Sequence, residues 1–249
     1  MQFFCTIPHI MAHYCLIACK ALKPEIEFLL AEHPPKHAVE LQWMQQGLHN
    51  TPAKLRSQLQ DKLDTLCSYD YDAVLLAYGL CGGGLAGLRC PLPLVIPRAH
   101  DCISLLFGSR RVHEQFVNAY PGTYFYSVGW VQEANMPCRE YDQRLADEYI
   151  SKYGPDNADY LLDIEHGWRK KYKQAVFIDW NLPDSSRGRQ FTREAAAYLG
   201  WDFAEVKGSP AWLLRLLQGD WHPDEFLVLK PNQPLPDDFT GSCTMDFQP

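Results

Sequence analysis

Tyr71-Asp-Ala-Val-Leu-Leu-Ala-Tyr-Gly-Leu-Cys-Gly-Gly-Gly84 decides the fold. Ala73 to Ala77 is a short, continuously apolar run, the pattern of a parallel strand covered on both faces. Gly79 and then Gly82, Gly83 and Gly84 admit positive φ and close approach of a ligand to the backbone. Cys81 is therefore expected at the carboxyl end of a central strand, where open α/β sheets bind their ligands.

Outward from this stretch, strand and helix patterns alternate. Tyr14 to Ala18 reads as a first strand, closed by Cys19, with residues 1–13 (Cys5, His9 and His13 among them) as an entry strand or arm. Pro24 suits the first turn of the next helix, and Glu25 its positive end. Val39 to Trp43 alternates like a less buried strand. Thr51 and Pro52 then open a helix in which Leu55, Leu59, Leu63 and Leu66 recur at helical spacing. After the glycine loop come a strand at 94–96, helical sequence from Ile103 to Tyr120 broken near Gly108, and a strand at 123–126. Residues 131–174 are charged and helical, with a break at Gly154-Pro155. Strands at 176–178, 203–206 and 226–229 flank a polar loop at 181–189 and helices at 191–199 and 211–218. The tail from Pro231 is expected to wrap the surface. The expected class is α/β, Rossmann-like, with a mainly parallel sheet flanked by helices. The helical insert at 131–174 separates a lobe of five strands (1–130) from one of three (175–249), and the sequence leaves open whether they share one sheet.

The totals narrow the function. A chain of 249 residues, 47% hydrophobic and 21% charged, can bury a substantial core. A net charge of -7 with no Lys/Arg stripe argues against nucleic acid. No apolar run nears the roughly 20 residues that span a bilayer. Nine scattered cysteines and an N-terminus without a signal-peptide pattern point to a reducing compartment, the cytoplasm.

A doubly wound sheet that starts in its middle has strand order 2-1-3-4-5. The first, third and fourth strands then end side by side, at Cys19, Cys81 and His100-Asp101-Cys102. Thiolate and imidazole together suit zinc or iron, so Cys19, Cys81 and His100 are the expected metal ligands. Cys102 is a fourth ligand or a nucleophile, and Asp101 orients the histidine or acts as a base. The competing reading is that these cysteines are small buried hydrophobes. Gly82, Gly83 and Gly84 have neither GxGxxG nor Walker spacing, but their N–H groups are candidates to hold a phosphate or carboxylate. Asp179, at the end of the 176–178 strand, is a further catalytic candidate beside Arg187 and Arg189, or a capping residue. Trp130 is a candidate wall of the cleft, and His166 reads as a packing histidine.

The segments YDAVLLAYGLCGGGLAGL and PLVIPRAHDCISLLFGS, with GTYFYSVGW, KYGPDNADYLLDIE and FIDWNL, resemble the bacterial and archaeal family named domain of unknown function 1638. The resemblance implies a setting near corrinoid-dependent methyltransferase systems, hence methyl-group or one-carbon metabolism. Other members carry Cys-Gly-Thr-Gly-Gly and Pro-His-Cys-Tyr at the corresponding places, which weakens the fourth ligand more than Cys81. The expectation is a metal protein acting on a small molecule. The alternatives are a binding module carrying a metal, corrinoid or small acid for a partner enzyme, and a metal-free cysteine enzyme.

Overall fold

The structure is a computed structural model that describes residues 11–66 and 70–241. Cys5 and His9 of the expected arm lie outside the described residues. In chain order, β1 (His13–Cys19) leads to α1 (Lys23–Glu32), β2 (Ala38–Met44), α2 (Pro52–Asp64), β3 (Ala73–Ala77) and β4 (Leu94–Pro97). Then follow α3 (Cys102–Leu106), α4 (Arg110–Ala119), β5 (Thr123–Tyr126), α5 (Val128–Glu133), α6 (Arg139–Tyr153) and α7 (Pro155–His166). The chain closes with β6 (Gln174–Asp179), α8 (Ser185–Leu199), β7 (Asp202–Lys207), α9 (Ala211–Gln218) and β8 (Phe226–Leu229).

The first sheet has the order β2-β1-β3-β4-β8. β1 to β4 are parallel; every residue of β3 and β4 is buried, as their apolar, doubly covered sequences require, while β2 at the edge is mostly half-buried or exposed. The fifth place is not taken by the strand at 123–126. β8 returns from the end of the chain and pairs antiparallel with β4, Leu94 opposite Leu229 and Pro97 opposite Phe226. β5 joins β6 and β7 in a separate parallel sheet. Among the described residues the sheets thus have five and three strands, and β5 and β8 each lie in the opposite group from the one the chain order suggests. α3, only five residues long, ends at Leu106, and the chain turns away from the first sheet at the following Gly108. Gly108 has φ +71° and packs so closely on Ser209 that a Cβ would lie 2.6 Å from its atoms. The tail docks where expected: Leu235 and Phe239 are buried, and Leu235 exchanges backbone hydrogen bonds with Gly87 and Leu88.

Two local readings change. Thr51 precedes α2 but its side chain caps nothing. α8 begins at Ser185, inside the stretch that reads as a polar loop. Its first turns are polar because they face solvent, while Gly188 lies against Phe177 of β6, where a Cβ would sit 2.7 Å from the ring.

α5 seats the second sheet on the first. Gly129 lies over the 3-10 turn Lys20–Leu22, where a Cβ would stand 2.3 Å from the Ala21 carbonyl oxygen. Glu25, which reads as a helix-dipole residue, is instead buried in this contact and accepts from the Gly129 N–H at 3.1 Å. Its second oxygen has no hydrogen-bond partner among the described residues, and burial pushes its carboxyl up. Stability from this group is present below its unfolded pKa and lost as pH rises through the raised folded value. Glu25→Gln keeps the acceptor and removes the buried charge. It is expected to be about 1 kcal/mol more stable than the wild type at pH 8, with the gap closing toward pH 4, as read by urea unfolding.

Candidate functional site

The strand ladder continues past the ends of β3 and β4. Leu80 N–H donates to Ala99 at 3.0 Å and Cys81 N–H to His100 at 3.2 Å, so the two following loops run locked together. Gly79 makes this contact possible, since a Cβ there would lie 2.4 Å from the Asp101 amide nitrogen. Asp101 then caps α3. Its carboxylate accepts from Ser104 N–H at 2.8 Å while the Asp101 N–H donates to the Ser104 hydroxyl at 3.2 Å. Cys102 is thereby held at the first helical position.

The result is a thiol pair. Cys81 Sγ and Cys102 Sγ are 3.8 Å apart. Cys102 is buried, Cys81 is half-buried, and Cys81 has a left-handed φ of 47°, uncommon outside glycine and asparagine. Cys19, buried at the end of β1, is close enough to Cys81 for their charges to interact. Burial raises the Cys19 thiol to about 11. The hydrogen bond of the Cys102 thiol to Cys81, followed by burial, raises Cys102 well above its ordinary value. The Tyr78 hydroxyl is buried among the three thiols, and burial first and then their charges push it far up. The ends of the third and fourth strands thus bring Cys81 and Cys102 together, with Cys19 at the end of the neighbouring β1.

His100 and Asp101 stand on the rim. The His100 side chain is 63% exposed, with Nδ1 3.6 Å from Asp101 Oδ2, and the carboxylate raises its pKa. For Asp101, burial opposes the charge, but His100, His113 and the Ser104 N–H outweigh it and hold the carboxyl low. Two imidazoles unforeseen in the sequence, His49 and His113, complete the surroundings. Burial lowers both, and both feel the Asp101 charge. The only signal for His49 was its place in the loop before α2, after a strand end.

The glycine loop serves itself. Gly83 N–H donates to Leu80 and Gly84 N–H to Cys81, and Arg56 donates to the Gly83 carbonyl at 2.8 Å. Gly82 and Gly83 have φ of 66° and 78°, and a Cβ on Gly84 would meet Leu55 at 2.8 Å. The Gly83 and Gly84 donors are thus engaged within the turn. Asp179 accepts from Asn181 N–H and from Arg189, both at 2.8 Å, and from the Ser185 hydroxyl. It organises the start of α8.

Two thiolates on a tetrahedral zinc with bonds of about 2.3 Å are about 3.8 Å apart, so the Cys81–Cys102 pair has the separation of two metal ligands. The same separation suits an S–H···S hydrogen bond. Among the described residues no group of three His, Cys, Asp or Glu side chains is gathered to hold an ion. Cys19 and His100 therefore do not join Cys81 in a ready-made ligand set.

The family described as "Protein of unknown function (DUF1638)" matches residues 43–217. This chain belongs to that family. The match spans Cys81, His100 and Cys102 of the candidate site and leaves Cys19 and β8 outside it. No curated protein and no solved structure gives a match. Among the described residues no helix of this DUF1638 chain is long and apolar enough to cross a membrane.

Proposed function

We propose that this DUF1638 protein holds a zinc- or iron-class ion on Cys81 and Cys102 and acts there on a small molecule, in thiol- or methyl-group chemistry within the cytoplasm. One observation carries the reading. Two thiols from different loops meet at 3.8 Å at the carboxyl ends of β3 and β4, the place where α/β sheets bind ligands. Such an ion would polarise a carbonyl or activate a water or thiol. Cys81 is half-buried and Cys102 buried, so the pair would hold one side of the ion and leave the other to Cys19 or to the substrate. His100, steered by Asp101, is a proton carrier at the rim.

A second reading, thiol chemistry by the pair without metal, draws on the absence of a third ligand among the described residues. Metal content by mass spectrometry, on protein purified anaerobically without an affinity-tag metal, separates the two. About one ion per chain is expected, lost in Cys81→Ala and in Cys102→Ala and kept in His100→Ala. A folded, metal-free wild type whose Cys81 is rapidly alkylated by iodoacetamide moves the second reading ahead.

A further inference from the structure

A cavity of about 340 Å³ opens between the two sheets, walled on one side by residues 45–51 and Lys54, which follow β2, and on the other by Tyr124, Trp130, residues 134–136 and Tyr141. It lies at strand ends and at a boundary between layers, two places where ligand pockets form. His49 links it to the thiol site: its ring meets Trp130 at 6.0 Å, and it feels the charge of Asp101.

The lining is rich in polar side chains that have no hydrogen-bond partner among the described residues. The carboxamides of Gln45, Gln46, Asn50 and Asn135 line it, as do the phenols of Tyr124 and Tyr141. Burial first, and then neighbouring charges, raise both phenols, so they keep their O–H protons at neutral pH. Lys54 is the one formally charged side chain in the lining, and among the described residues it forms no ion pair. No carboxylate lines the cavity, although the chain has 30 acidic residues against 23 basic ones. A site with many neutral donors and a lone cation suits an anionic oxygen group carried on a polar body.

We propose that this cavity binds a small organic anion, a carboxylate or phosphate ester bearing further hydroxyl or amide groups, with its anionic group on Lys54. The inference rests on the small-molecule half of the function proposed above and not on its metal.

Isothermal titration calorimetry on the full chain at low salt tests it, with malate and glycerol 3-phosphate as anions and malamide and glycerol as their neutral counterparts. At least one anion is expected to bind about tenfold or more tightly than its neutral counterpart, the scale of one charge-assisted hydrogen bond. The tighter of the two anions identifies the carboxylate or the phosphoryl group as the feature read. Lys54→Met is expected to weaken that anion by about tenfold and Lys54→Arg to retain it. Lys54 is exposed, so neither substitution threatens the fold. Equal binding of anion and neutral counterpart, an unchanged affinity in Lys54→Met, or no heat from either anion at millimolar concentration overturns the proposal. The metal content of the same preparations reports separately on the thiol site.

Discussion

Gly79→Ala is expected to destabilise the protein by about 3 kcal/mol, at the upper end of the usual range for overpacking, and to open the thiol pair. Gly79 is buried, and its backbone φ is not in the left-handed region, so its role is close approach rather than conformational freedom. The added methyl would lie 2.4 Å from the Asp101 nitrogen and 2.6 Å from its Cα. Backbone atoms cannot swing aside as a side-chain tip can. The loops bearing Cys81 and Cys102 must separate, straining the Leu80–Ala99 and Cys81–His100 hydrogen bonds. Gly83→Ala is the control. Its Cβ would point into open space, and its φ of 78° should cost only about 1–2 kcal/mol. Urea unfolding compares the two, and iodoacetamide labelling with mass spectrometry follows Cys102. Faster labelling of Cys102 in Gly79→Ala alone is the expected result. Equal stability of the two variants, with Cys102 still protected, would mean that the loop contact does not hold the pair together.

The second large effect lies away from the thiols. Asp142 of α6 accepts from Arg169 through both oxygens, each at 2.6 Å, and from the Tyr198 hydroxyl at 2.9 Å. His166 Nε2 stands 3.4 Å from it. The Asp142 side chain is 9% exposed and that of Arg169 13%, so the pair is largely desolvated. Burial opposes the charge on Asp142, but the hydrogen bonds and charge of Arg169, with Tyr198, outweigh it and hold the carboxyl below its ordinary value. Arg169→Met leaves that carboxylate buried without its cation. A loss of about 3–5 kcal/mol at pH 7 is expected, the usual penalty for stranding one partner of a buried pair. The pH dependence has a definite sign. A depressed carboxyl contributes stability that is present above its unfolded pKa, about 3.9, and lost as pH falls through the folded value. The gap between wild type and Arg169→Met should therefore narrow below about pH 4. Urea midpoints across pH 3 to 7 would reveal it, and a gap independent of pH would assign the loss to packing of the arginine stem alone.

Much of the fold is legible because burial writes itself into short patterns. AVLLA at 73–77 and LVIP at 94–97 are apolar throughout because both faces are covered. The leucines of α2 recur at helical spacing because one face is buried. The break of the hairpin α6–α7 at Gly154-Pro155 follows from what those two residues do to a backbone. The start of α8 was hidden because a solvent-facing first turn has the composition of a loop. Glu25 was misread because a carboxylate at a helix start has an ordinary local explanation, and only the distant Gly129 revealed the other. For the site, Cys19, Cys81 and Cys102 followed from strand order, whereas His49 and His113 are brought in by packing that no spacing announces.

By itself the sequence determined where most of the strands and helices lie and that β1 to β4 run parallel in the order 2-1-3-4. Those properties depend on near neighbours in the chain and on the handed crossovers between them. Only the tertiary structure decided that β8 rather than β5 completes the first sheet, that Cys102 rather than His100 faces Cys81, and that a cavity with a lone lysine opens between the sheets. Each of these depends on contacts between residues far apart in the chain: the packing of Gly79 on Asp101 and of Gly129 on Ala21. The local sequence at each partner is compatible with several neighbours, and close packing of the whole core selects one.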